Sequence, residues 1–246
     1  MASPVCYASE SYFLAGAPLP PSTTTTPVPS STLPQPAGTV HTTSLSPTHA
    51  FSKPLTEGIT LIPGLGVEGD CHLGADIQHL SRRGVRPLPE NLRQVHVISR
   101  EFLEGLVVRG EEGIDRGGGG EGEGEEEEEG GKKGKRGVKP GDLGENITTT
   151  GLDLESLTRG TILRFASPSS PPSDSDARIR ITGLRNPCLQ IEKFGKGLLA
   201  QCTVRERGRV VRRKAGVMGV VLSGGRVEGG MGVWVEVVGE GVLDVV

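Results

Sequence analysis

At 246 residues the chain has room for one large or two small domains, but 38 glycines, 18 prolines and only 3% aromatic residues leave a core to be built from Val, Leu and Ile between frequent turns, which favours a β-rich fold over a helical bundle. A formal net charge of −3 gives no overall drive toward nucleic acid, and no run approaches the roughly 18 consecutive apolar residues of a membrane-spanning helix. Four cysteines at positions 6, 71, 188 and 202 form neither a dense disulfide framework nor a CxxC pair, and the N-terminus has no secretory or arginine-rich targeting pattern, so a reducing, cytoplasmic setting is expected.

Residues 1–39 form the first segment, dominated from position 16 by Pro, Ser and Thr with Thr23 to Thr26 in succession; it lacks the apolar content to offset ordering entropy and reads as a disordered leader. The domain proper is expected over residues 40–246. Its first strand falls at Ile59-Thr60-Leu61-Ile62 and runs into glycine turns. Asp70-Cys71-His72 and Asp76-Ile77-Gln78-His79 then gather carboxylates and imidazoles within ten residues, suited to metal ligation, to a base and its orienting partner, or to scaffolding a polar turn. The spacing matches neither HExxH nor paired CxxC. Asn91 to Ile98 has the alternation of a strand, in which His96 reads as structural. Ser99 is placed to cap a short helix with Phe102, Leu103 and Leu106 on its apolar side, and Glu101 is not at the position a capping box needs.

Residues 110–137 carry Glu125 to Glu129 in a row, followed by Lys132, Lys133, Lys135 and Arg136. This pattern predicts a solvated loop inserted within the domain, with an acidic partner-binding segment as the alternative. Loop-closure entropy rises slowly with length, so such an insertion need not mark a domain boundary. The following run, Pro140-Gly141-Asp142-Leu143-Gly144-Glu145-Asn146-Ile147-Thr148-Thr149-Thr150-Gly151, combines turn glycines with an acid, an amide and hydroxyls. Asp142 or Asn146 can pin such a turn by bonding backbone amides, and the polar groups suit a heterocycle or phosphate, although a purely structural turn fits as well. It is not a Walker loop.

Residues 152–157 suit a turn or one helical turn more than a long helix, residues 161–165 a strand, and the Ser/Pro/Asp-rich residues 167–176 a surface loop. Ile179-Arg180-Ile181 alternates as a strand that ends in Gly183 and an Asn186-Pro187 turn, presenting Cys188 close in sequence to Arg185. A thiol beside an arginine can be held as the reactive thiolate, and a lone cysteine can equally be a buried small hydrophobe. Arg205, Arg207, Arg209, Arg212, Arg213 and Lys214, with Arg185 and Lys53, offer a positive field to a phosphate-bearing ligand. A nucleic-acid surface is disfavoured because no aromatics interleave and Trp234 is the sole tryptophan. Strands at residues 217–222 and 233–238, separated by glycine turns, complete a pattern of many short strands that points to a closed or partly closed β barrel.

Taken in order, Phe51-Ser52-Lys53, Gly66-Val67-Glu68-Gly69-Asp70-Cys71-His72, Gly141-Asp142-Leu143-Gly144-Glu145-Asn146-Ile147-Thr148-Thr149 and Thr182-Gly183-Leu184-Arg185-Asn186-Pro187-Cys188 resemble the MOSC domain family, found at the C-terminus of molybdenum-cofactor sulfurases and as stand-alone proteins. The resemblance runs from about residue 40 to the C-terminal strands. It implies a mainly β, MOSC-like barrel with short helices and long disordered insertions, enclosing a pocket for molybdenum cofactor or sulfur transfer. It also implies that Cys188 is the molybdenum ligand or persulfide carrier, that Asp70 and His72 line the pocket as catalytic partners, and that Asn146 and Thr148 shape its polar wall. Arg185, Lys53 and Arg213 would serve an anionic group.

The implied activity is oxidoreductase chemistry on N-hydroxylated compounds or sulfur transfer. The implied partners are a pterin cofactor or small anionic ligand and a redox or sulfur-donor protein, with neither nucleic acid nor membrane. Pyridoxal phosphate enters only through family association, because the chain has no room for a desulfurase domain. A non-catalytic small-ligand or protein-interaction module on the same scaffold is the alternative. Thiol redox chemistry through Cys188 and Cys202 is a third reading without a CxxC motif to support it.

Overall fold

Seven strands with Val, Leu and Ile on their inward positions close into a ring in the computed structural model, which describes residues 35–79, 84–108, 136–170 and 173–246. In chain order the strands are β1 (Gly38–Ser44), β2 (Leu55–Thr56), β3 (Gly58–Ile62), β4 (Gly66–Val67), β5 (Val95–Ser99), β6 (Val107–Val108), β7 (Arg136–Gly137), β8 (Ile147–Thr150), β9 (Ile162–Ala166), β10 (Ala177–Leu184), β11 (Thr203–Glu206), β12 (Arg209–Arg213), β13 (Val217–Ser223), β14 (Gly225–Glu228) and β15 (Gly232–Val237). The described helices are short: α1 (Arg100–Gly105), α2 (Leu189–Phe194) and α3 (Leu198–Gln201).

The ring runs β1-β15-β9-β10-β13-β5-β8 and returns to β1, with β2 added beside β1. An odd ring cannot alternate direction all the way round, so at least one neighbouring pair must be parallel. That pair is β5 and β8, with Val97 opposite Ile147. Parallel neighbours need a crossover rather than a hairpin. The crossover between these two holds α1 and the charged stretch, so the insertion lies in the one connection that had to be long. Residues 109–135 lie outside the described residues; on either side of them β6 and β7 pair antiparallel, Val108 opposite Arg136, so the chain leaves and re-enters at one place.

Ile179 and Ile181 are buried while Arg180 between them is exposed, the period-two pattern of a strand with one face inward. They pack with Val97, Ile147, Leu163, Phe165, Val217 and Val233 inside the barrel. Each such side chain contributes roughly 1.5–3 kcal/mol by leaving water. A second cluster under the helices joins Ile98, Leu103, Leu143, Ile191 and Leu198 to Cys202, whose burial pushes its thiol up to about 11. Cys202 therefore packs as a small hydrophobe, and no disulfide links the described cysteines.

Local features follow the sequence closely. Ser99 Oγ accepts from the Phe102 amide at 3.2 Å and caps α1. Glu101, off the capping-box position, instead accepts from Thr150 Oγ1 and Gly151 N at 2.6 and 2.8 Å, tying α1 to the end of β8. Leu154–Ser156 is a single 3-10 turn capped by Asp153. One difference lies near the C-terminus: between the glycine turns expected at residues 223–225 and 229–230, residues 225–228 form a further strand, β14, which pairs with β3 and buries Val227. Another is the start of β1 at Gly38, two residues before the compositional boundary at 40; residues 1–34 of the expected leader lie outside the described residues. Among the described residues no helix is long and apolar enough to cross a membrane.

Candidate functional site

The site is assembled where the turn at residues 140–146 lies against residues 51–53. Gly141 and Gly144 have φ of +88° and +77°, and a Cβ on either would strike a backbone carbonyl, that of Lys53 or of Phe51. Only glycine permits both the turn and the approach. Lys53 N donates to Gly141 O at 2.8 Å, Ser52 Oγ donates to Asp142 O at 2.8 Å, and Asp142 Oδ2 accepts from Lys139 N at 2.9 Å. Asn146 closes the turn, accepting from the His96 amide through Oδ1 at 3.2 Å.

Beside this contact lies a cavity of about 730 Å³, lined among others by Lys53, His72, His96, Asn146, Arg185 and Cys188. That volume is within the range of about 300–1,000 Å³ typical of small-molecule sites. Behind its wall sits Asp70. Oδ2 accepts from Lys53 Nζ at 2.7 Å, Asn146 Nδ2 at 3.1 Å and Ser46 N at 3.2 Å, while Oδ1 accepts from His72 N at 3.0 Å and faces His72 Nδ1 at 3.1 Å. Burial opposes the charge, but the His72 hydrogen bond and the Lys53 ammonium outweigh it and hold the carboxyl well below the usual carboxylate range. The same burial, reinforced by the Asp70 charge, pushes the Cys71 thiol up to about 11.

Cys188 is half-buried immediately before α2, with Sγ 3.5 Å from Gln190 Oε1. Arg185 donates through Nη2 to Leu143 O at 3.2 Å, and its Nη1 is buried with no hydrogen-bond partner among the described residues. Burial lowers the pKa of this guanidinium, and the strongest opposing charge is that of Cys188, followed by Glu145. Glu145 is itself buried, and that burial raises its carboxyl although Gly141 N donates to Oε1 at 2.5 Å.

His96 lies in β5 as a structural residue and also lines the cavity. Burial, then the Arg185 charge, with smaller contributions from Lys53 and Arg93, pushes its imidazole well below the usual range. It is neutral, and Nε2–H donates to Ala215 O at 2.8 Å. Because the folded pKa is depressed, the associated stability is present above the unfolded pKa of about 6.5 and is lost as pH falls toward the folded value. Stability should decline by about 1.4 kcal/mol per pH unit below that point from this group alone. Thermal melts across the range should show a shallower acid decline for His96→Gln; an equal slope would remove His96 as the cause.

Of the residues singled out in the sequence, Cys188, His72, Lys53, Asn146 and Arg185 share the cavity. Asp70 does not line it and acts from behind. Thr148 also faces away, buried in β8 with Oγ1 donating to Glu145 Oε1 at 3.3 Å. Arg213 stands outside on β12 and reaches the rim by donating to Asn186 Oδ1 at 3.2 Å. Arg212 pairs with Glu155 at 3.1 Å, and Arg205, Arg207 and Arg209 belong to the exposed β11–β12 hairpin. Sequence reasoning missed His49, a lone histidine without a motif, which lines the same cavity as His72 and His79.

Comparison with known proteins bears on the whole barrel. The MOSC domain family matches residues 90–239. Among solved structures the chain is similar to the YUAD protein from Bacillus subtilis, with a TM-score of 0.53 and 19% identity over 80% of this chain and 93% of that one. YiiM from Escherichia coli gives a TM-score of 0.44 and 18% identity over 83% and 73% of the two chains. YiiM from Geobacillus stearothermophilus gives 0.46 and 16% over 86% and 80%. At these identities the likeness concerns the fold alone. No curated protein matches the chain.

Proposed function

The chain belongs to the MOSC domain family, and from that premise we propose that its cavity takes a small anionic cofactor of the molybdenum–pterin class, with Cys188 as the sulfur at the reacting end. The observation that carries this reading is Arg185: its buried Nη1 has no hydrogen-bond partner among the described residues, on the wall that also holds Cys188. A buried unpaired donor costs about 1–3 kcal/mol, and more when charged, so such a group calls for an anion. The residues fit the group. Arg185, with Lys53, would hold a phosphate, Asn146 would bond a polar heterocycle, and the soft Cys188 sulfur would ligate the metal.

When bound, the cofactor would supply redox chemistry, proposed here to act on N-hydroxylated compounds with electrons from a partner protein. The chain's own contribution is positional. Asp70 holds Lys53 and His72 from behind, and Arg213 holds Asn186 at the rim. Neutral His96 leaves the positive charge of the cavity wall to Arg185, Lys53 and Arg93.

Sulfur carriage is the second reading, favoured by the half-exposed setting of Cys188. A Cys188 thiolate would attack the outer sulfur of a donor persulfide; the donor's S–S bond breaks, the donor leaves as a thiolate, and Cys188 keeps the sulfur as a persulfide. Molybdenum and pterin measured on protein purified so as to preserve labile cofactor, and again after reconstitution, test the first reading. Near-stoichiometric content is expected. Absence of both after reconstitution would overturn it, and sulfane sulfur on Cys188 without metal would establish carriage instead.

A further inference from the structure

We propose that His49, Cys71 and His72 form a binding site for a zinc-type divalent transition-metal ion, built from residues other than Cys188. Two loops far apart in the sequence create it. Cys71 N donates to Ser46 O at 2.8 Å and Ser46 N donates to Asp70 Oδ2 at 3.2 Å, which lays the loop carrying His49 beside the turn carrying Cys71 and His72. One ligand atom from each of the three residues lies within 4.8 Å of the others. Donors about 2.0–2.3 Å from a tetrahedral ion stand roughly 3.3–3.8 Å apart, so small side-chain adjustments close the set.

The outer contacts are those that metal-binding imidazoles require. Asp70 is a carboxylate and can only accept, so His72 Nδ1, at 3.1 Å from Oδ1, carries the proton. His49 Nε2 lies 3.2 Å from the Gln78 carbonyl oxygen, which likewise only accepts. In the neutral form of each ring the other nitrogen, Nδ1 of His49 and Nε2 of His72, is then the one with a lone pair to offer a metal. A carboxylate or backbone carbonyl behind the imidazole sets the tautomer and strengthens the ligand in this way.

Imidazole and thiolate together suit zinc better than the hard cations magnesium or calcium. A third imidazole, His79, stands with its ring centroid 5.3 Å from that of His72. Three protein donors leave a coordination position for water, for His79 or for a group of whatever occupies the cavity, which His49 and His72 line. The site thus gives the pocket a Lewis-acid element on the wall formed by the loop at His49.

The proposal stands independently of the cofactor at Cys188. Full-length protein stripped with a chelator is titrated with Zn²⁺ by calorimetry and with Co²⁺ by absorption spectroscopy. One equivalent of Zn²⁺ should bind, and Co²⁺ should develop a thiolate charge-transfer band. Cys71→Ser should abolish that band, and His49→Gln, at an exposed position that does not threaten folding, should weaken Zn²⁺ binding at least about tenfold. Cys188→Ser should change neither. No Zn²⁺ binding by the unaltered protein, full binding by His49→Gln, or a charge-transfer band lost only in Cys188→Ser would each overturn the site. The last result would assign the metal to the other sulfur.

Discussion

Cys188→Ser is expected to reduce bound molybdenum, or sulfane sulfur on the protein, by at least about 100-fold, a loss of about 2.7 kcal/mol in binding. Stability should hardly move. The sulfur is half-buried and, among the described residues, hydrogen-bonds to Gln190 Oε1 at 3.5 Å, which a serine hydroxyl can also reach. Surface-type changes of this kind usually stay within about 0.5 kcal/mol. Function differs because a hydroxyl is a hard, weakly acidic group that neither ligates a soft metal nor forms a persulfide. Metal analysis, cyanide-released sulfur and a thermal melt on the same preparation separate the two effects. A variant that retains both cofactor and sulfane sulfur at parental levels would show that the site works without this thiol.

Much of this site was legible because its local chemistry is local in sequence. Positive φ at Gly141 and Gly144 follows from a glycine-bearing turn, and the Ser99 cap from a hydroxyl placed just before an apolar helix face. What the sequence withheld is long-range pairing. Closure of β1 onto β15 joins Gly38 to Val233, and the parallel contact of β5 with β8 bridges the whole charged crossover. Periodicity carries no information about either. The same limit explains Thr148 and Asp70: the family resemblance marks both as pocket residues, but the strand register turns Thr148 toward Glu145, and Asp70 meets its partners only after four separate segments converge. His49 acquires its neighbours in that convergence too. The basic run shows how a local field dissolves on folding, since the β11–β12 hairpin carries most of its arginines to the surface and only Arg213 reaches Asn186.

That convergence makes Asp70→Ala the substitution with the largest expected cost to the fold. The Asp70 and Lys53 side chains are 1% and 2% exposed, and the carboxylate also satisfies Ser46 N, Asn146 Nδ2 and the backbone and ring of His72. Removing it leaves a buried ammonium uncompensated, for which breaking a buried pair costs about 3–5 kcal/mol. For a domain of this size the melting temperature should fall by on the order of 10 °C. The argument turns on the orphaned charge rather than on attraction within the pair. Adding Lys53→Met in the Asp70→Ala background should therefore recover a large share of the loss, because a well-packed apolar side chain replaces the stranded ammonium. Chemical denaturation of the two single variants and the double variant gives the coupling energy directly. If the two losses simply add, the pair is not the element that holds these four segments together, and the stability of the wall behind the cavity resides in the backbone contacts of Ser46 and Gly141 instead.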